Sequence, residues 1–114
     1  MNVAVQGTKE FSNYNTFLRA MGVVLSDLSD KNFNIYAVGP ASINSYTAEF
    51  CNVSEKSLKQ RGIKIKYYRV PASFVEENHD NFNYFAFFSN PNQKPSALVH
   101  KMEMYGVETG IFRY

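Results

Sequence analysis

The stretch Asn32–Thr47 constrains the fold more than any other part of the chain. Its first half carries Phe33, Ile35, Tyr36 and Val38, which favour β-structure, and it stops at Gly39-Pro40. Ser42, Asn44 and Ser45 follow, small polar residues that suit a helix N-terminus. A strand that turns tightly into a helix directs backbone N–H groups at whatever lies beyond the strand end, and an anion fits there.

The same alternation recurs along the sequence. Asn2–Gln6 reads as a first strand bounded by Gly7, and Thr8–Asn13 as a polar loop holding one aromatic, Phe11. From about Tyr14 to Leu28 the spacing becomes helical, with Phe17, Met21, Val24/Leu25 and Leu28 on one face. Ser12 or Asn13 caps this helix, and Ser29-Asp30-Lys31-Asn32 ends it. Phe33–Val38 is the second strand. A second helix runs from about Ile43 to Gln60, with Ile43, Thr47, Phe50/Cys51, Ser54 and Leu58 on one side and Gly62 at its C-terminal end. Ile63–Tyr68 alternates as a third strand: Ile63, Ile65 and Tyr67 face one way, Lys64, Lys66 and Tyr68 the other. Lysines of this kind place a strand at a sheet edge. Arg69–Asn81 is a polar connection containing Pro71 and an acidic cluster, Glu76, Glu77 and Asp80, with room for one helical turn. Phe82–Phe88 is the most apolar strand, and Ser89–Ser96 is a loop with two prolines. Ala97–Tyr105 is a short helix closed by Gly106, and Val107–Phe112 is the last strand.

Strands alternating with helices predict an α/β fold: a three-layer, Rossmann-like sandwich around a five-stranded, mainly parallel sheet. The long link after the third strand is where the chain crosses back, which gives the order 3-2-1-4-5. Ligands of such sheets sit beyond the carboxyl ends of the strands, at that reversal. The loops there are Gly7–Asn13, Gly39–Asn44 and Ser89–Ser96.

Composition sets the bounds. The 114 residues suffice for one domain spanning 1–114 with one core. Ten phenylalanines and eight tyrosines give enough surface to bury that disorder is not expected. The net charge of +2 is too small to argue for nucleic acid by itself. One cysteine, Cys51, excludes an internal disulfide and gives no metal cluster. No run approaches the ~18 apolar residues of a membrane span, and no leader pattern opens the chain. A cytoplasmic protein with no membrane partner is the expectation. The asparagine- and aromatic-rich composition has the flavour of a viral accessory protein, which would place it in host cytoplasm.

The first loop, Val5-Gln-Gly-Thr-Lys-Glu-Phe-Ser-Asn-Tyr14, resembles the opening of the small Rossmann-like proteins of the SLOG superfamily, which includes YspA-like, DprA-like and LOG/lysine-decarboxylase-like groups. Gly7, Thr8, Lys9, Glu10, Phe11 and Tyr14 follow the order of the YspA-like members. After the second strand Gly39, Ala41, Ala48 and Glu49 match, while Pro40, Ser42 and Ser45 stand where a second glycine, an arginine and an aspartate belong. In the last loop Pro91 and Ser96 are compatible with the LOG-type pattern, but Asn92, Gln93 and Pro95 replace glycines. Val99 replaces the glutamate. Proline removes an N–H donor, and the lost carboxylate is the acid that would assist N-glycosidic cleavage. The resemblance therefore implies a noncatalytic domain binding a nucleotide or an ADP-ribose-like ligand, as a sensor, sponge or accessory factor. The ligand residues it implies are Gly7, Thr8, Lys9, Gly39, Ser42, Asn44, Asn90, Lys94 and Ser96, with Thr8, Lys9, Ser42 and Lys94 on phosphate or ribose.

Plainer readings stand beside these. Gly7-Thr8-Lys9 lacks the P-loop pattern, and Ser42 or Asn44 also serves as an ordinary cap of the second helix. Lys56, Lys59, Arg61, Lys64, Lys66 and Arg69, with Tyr67 and Tyr68 among them, read as a solvated helix end and edge-strand lysines. The same set with Tyr68 is the surface of the alternative function: a ligand-free interaction factor engaging a partner protein or a second copy. Nucleic acid is the weaker option. His79 and His100 lack neighbours at metal-ligand spacing. Cys51 reads as a core thiol, Glu76, Glu77 and Asp80 as solvated acids, and Phe112 and Tyr114 as core or dimer contacts.

Overall fold

The computed structural model describes residues 1–26 and 31–113. Among these, five strands alternate with four α-helices: β1 (Asn2–Gly7), α1 (Tyr14–Val24), β2 (Asn32–Val38), α2 (Ala41–Gln60), β3 (Lys64–Arg69), α3 (Ala72–Glu77), β4 (Tyr84–Ser89), α4 (Ala97–Met104) and β5 (Glu108–Arg113). A 3-10 turn, His79–Asn81, leads into β4. The strands form one sheet in the order β3-β2-β1-β4-β5, and every pairing is parallel. The chain steps outward from β1 to β3, then returns past β1 to build β4 and β5. That reversal puts α1 and α2 on one face of the sheet and α3 and α4 on the other.

Each face has its own core. Beneath α1 and α2, Val3, Val5, Phe33, Ile35, Ile65 and Phe88 of the sheet meet Phe17, Met21, Ile43 and Cys51. Phe11, Tyr14 and Tyr46 extend this side as an aromatic cluster: Phe11 lies 5.3 Å from Phe88, and Tyr14 5.2 Å from Tyr46, between ring centroids. On the other face Ala4, Val38, Phe85 and Phe87 meet Val75, Leu98, Val99 and Met102. The residues of β1 and β4 are buried almost throughout, as expected of strands covered on both faces.

Local sequence explains where elements start. Asn13 caps α1, its side-chain oxygen accepting from the Thr16 N–H at 2.9 Å. The expected continuation of α1 to Leu28, its end at Ser29-Asp30, and Tyr114 lie outside the described residues. The start of α2 differs from expectation. Gly39 takes φ +109°, a conformation open to glycine, and Pro40 occupies the cap position, so the helix begins at Ala41 rather than Ile43. Neither Ser42 nor Asn44 caps it, because both already lie inside the first turn. The connection after β3 is also more ordered than its polarity implies. Val75 and Phe82 are buried anchors, and Pro71 opens a six-residue helix. Phe112 stacks on Phe88 at 5.4 Å, a core contact. Among the described residues, no helix is long and apolar enough to cross a membrane.

Candidate functional site

The carboxyl ends of β1, β2 and β4 bring the three loops singled out in the sequence together, and the chain spends much of their polarity on itself. Thr8 donates its backbone N–H to the Phe88 carbonyl at 3.0 Å and its hydroxyl to Gln93 Oε1 at 2.6 Å. The same Gln93 oxygen accepts the Asn90 N–H at 2.9 Å, and Gln93 Nε2 donates to Glu10 Oε2 at 2.7 Å. The Gln93 carbonyl accepts from Arg113 Nη2 at 3.1 Å. Ser96 donates its hydroxyl to Gln6 Oε1 at 2.5 Å. Gln93, standing where the resemblance expects glycine, thus ties the β4–α4 loop to the β1–α1 loop. Thr8 and Ser96 are already engaged, and the side chains of Lys9 and Lys94 stand exposed in solvent.

The β2 end is arranged differently. Gly7 is buried against α2, and a Cβ there would meet Ile43 at 3.3 Å. Asn44 is buried, donating to the Gly39 carbonyl at 2.9 Å and accepting from the Tyr67 hydroxyl at 2.8 Å. Its role is to pin the β2–α2 turn to β3. Burial raises the Tyr67 phenol above its ordinary value, the Arg69 guanidinium pulls it part of the way back, and Cys51 adds to the rise. Ser42 Oγ is enclosed and has no hydrogen-bond partner, and Asn90 Oδ1 is in the same state.

Beside these residues lies a cleft of about 590 Å³, lined by Gln6, Val38, Gly39, Arg69, Val70, Pro71 and Ala72. It occupies the carboxyl ends of β1, β2 and β3. Its volume falls within the range of small-molecule sites, and its one cation is Arg69. Sequence reading had placed Arg69 on the interaction surface, had named Gln93 only as a replaced glycine, and had not singled out Gln6. A signal for Gln6 exists: a polar residue ending an otherwise apolar strand at a loop.

Five further basic residues gather along the free margin of β3 and the end of α2. Lys59 on α2 and Lys64 and Lys66 on β3 line a groove of about 350 Å³ with Glu55, Ile63 and Ile65. Lys56 lies on the same stretch of α2, and Arg61 directly follows that helix. Tyr68 stacks on Tyr36 at 4.8 Å, and Phe74 also stacks on Tyr36, at 5.8 Å.

The other candidates are held by local structure. His79 stacks on Tyr105 at 3.7 Å and lies 3.1 Å from Asp80, and Glu76 pairs with Lys101 at 3.2 Å. Burial pushes the Cys51 thiol up to about 12, which leaves it protonated and unreactive near neutral pH. Val99 is fully buried in the core beneath α4, turned away from the loops. The chain matches no protein-family model and no curated protein.

Proposed function

We propose that this protein is a noncatalytic binder of a small anionic, nucleotide-like ligand, held at the carboxyl end of its sheet. The observation that carries this reading is the 590 Å³ cleft, with Arg69 as its cation and Gly39 and Gln6 on its walls. It lies beyond the carboxyl ends of the strands, the end of a parallel α/β sheet that ligands use, on the β1–β3 side of the β1–β4 reversal. Arg69 supplies a planar, permanently charged fork for a phosphate or carboxylate, and Gln6, whose oxygen holds Ser96, offers its amide nitrogen as a donor to ribose or base. The glycine turn lets backbone approach closely. The part of the SLOG-like site built on Thr8, Lys9, Asn90, Lys94 and Ser96 contributes less, because Gln93 and Gln6 already occupy three of those residues. No carboxylate takes the position of Val99, which favours binding over hydrolysis.

A thermal-shift panel with ADP-ribose, NAD, cyclic nucleotides and nucleoside monophosphates tests this. A ligand at 100 times its dissociation constant adds about 2.7 kcal/mol, which raises Tm by on the order of 10 °C for a domain of this size. The expected result is a shift with one class of nucleotide that disappears in Arg69→Ala and persists in Lys94→Ala. Cooperative melting with no shift for any member of the panel would overturn the reading.

A further inference from the structure

β3 is the margin of the sheet, paired to β2 along its inner side alone. Lys64 donates its N–H to the Lys31 carbonyl at 2.8 Å, and Val70 donates to the Ala37 carbonyl at 3.0 Å. In a parallel ladder the N–H and C=O of one residue point to the same side, and the side alternates along the strand. The even-numbered residues of β3 therefore face β2, and the N–H and C=O groups of Ile65, Tyr67 and Arg69 point off the sheet. The strand is six residues long and carries neither a proline nor a break in its register. Next to this edge runs the 350 Å³ groove, floored by Ile63 and Ile65 and flanked by Lys59, Lys64 and Lys66. Lys56 and Arg61 lie close by on and after α2. Glu55 is the single acid lining it, and among the described residues none of these five cations forms a salt bridge.

The geometry points to β3 as a strand-addition site for an extended acidic segment of a partner protein. Such a segment pairs its backbone with Ile65, Tyr67 and Arg69. Alternate side chains enter the groove, and its carboxylates meet Lys59, Lys64 and Lys66. Charge selects this occupant over a second copy of the chain. Antiparallel pairing of two β3 strands would bring Lys64, Lys66 and Arg69 of both copies, six cations and no acid, into one six-residue seam. The inference does not rest on the cleft at the carboxyl end; the two share Arg69, through its backbone here and its guanidinium there.

The test uses the full chain and a fluorescent peptide of alternating glutamate and valine, long enough to span β3. Three controls accompany it: the same peptide N-methylated on alternate backbone amides, its Glu→Gln counterpart, and single-stranded oligothymidylate. Saturable binding is expected, at least tenfold weaker for the N-methylated and Glu→Gln peptides and for the Lys64→Glu/Lys66→Glu variant. Both substituted lysines are exposed, so that variant keeps the core. On binding, amide exchange at Ile65, Tyr67 and Arg69 should slow at least tenfold, while that at Lys64 and Lys66, already bonded to β2, stays the same. Equal binding of the N-methylated peptide, or unchanged exchange at the three outward amides, overturns the proposal. Tighter binding of the oligonucleotide would assign the surface to nucleic acid instead. Protection of the same amides in a concentration-dependent dimer without peptide would assign it to a second copy.

Discussion

Asn44 shows how one side chain decides a loop. Its amide nitrogen holds the Gly39 carbonyl and its oxygen holds the Tyr67 hydroxyl, so the β2–α2 turn and β3 are fastened through a single buried residue. Removing it leaves the Gly39 carbonyl and the half-buried Tyr67 phenol to find other partners, and the phenol, shielded from water, is the costlier loss. Asn44→Ala is expected to lose about 1–3 kcal/mol in urea unfolding. Tyr67→Phe alone removes one of the two bonds and should cost less. A double-mutant cycle should show coupling of at least about 0.5 kcal/mol, since the two groups touch. Additive losses would mean that the 2.8 Å bond contributes nothing. Gln93 plays the corresponding part on the other side of the reversal, its two side-chain polar atoms joined to Thr8, Asn90 and Glu10. A glutamine in a proline-flanked loop gives no such sign in the sequence, because the partners that tie the loops together, Thr8 and Glu10, lie more than eighty residues away.

Among the elements, α1 depends most on its first residue. Its first turn holds no acidic side chain to complement the helix dipole, so the Asn13 bond to Thr16 is the local device that fixes the start. Asn13→Ala should cost about 1 kcal/mol, and Asn13→Asp should cost little or nothing, read as the midpoint of a denaturant titration at constant slope. Equal midpoints for Asn13→Ala and the parent chain would show that Phe17 and Met21 place the helix unaided. This cap was legible in the sequence, as were the strand order and the edge position of β3, because each rests on periodicity or on a local residue preference. The α2 start was not: Ser42 and Asn44 look like caps, but a glycine at positive φ followed by proline moves the boundary two residues earlier. The helix α3 was read as a polar connection with one helical turn, because its short apolar side, Phe74 and Val75, is too brief to show a period. The candidate site was legible as a place and less so as a set of residues. Topology alone put it at the carboxyl ends, whereas the assignment of Arg69 to the cleft depends on how the β3–α3 link turns beyond the strand end.

Over the whole molecule, the two proposed surfaces use the same strand at different points, the cleft at its carboxyl end and the groove along its free margin. Their common support is the α2–β3 layer, and Cys51 lies in its core. That position makes the integrity of the layer measurable by pH. The Cys51 thiol is raised from 9.0 to about 12, first by burial and then by Glu55. A thiol whose value is higher in the folded chain than in the unfolded one contributes its full stability below the unfolded value and loses it as pH climbs toward the folded one. The phenols of Tyr14, Tyr36, Tyr67 and Tyr84 are raised as well, each chiefly by burial, so they act in the same direction at higher pH. Stability should hold level up to about pH 9 and then fall, with Cys51 supplying up to one proton of slope, about 1.4 kcal/mol per pH unit. Cys51→Ala starts from a lower stability because it leaves a small cavity, but its curve should be shallower between pH 9 and 12. Native protein at pH 8 should resist alkylation of Cys51, which becomes labelled once the chain is unfolded. Parallel curves for the two proteins, or rapid labelling of the native chain, would place the thiol outside the core and remove the link between this layer and alkaline unfolding.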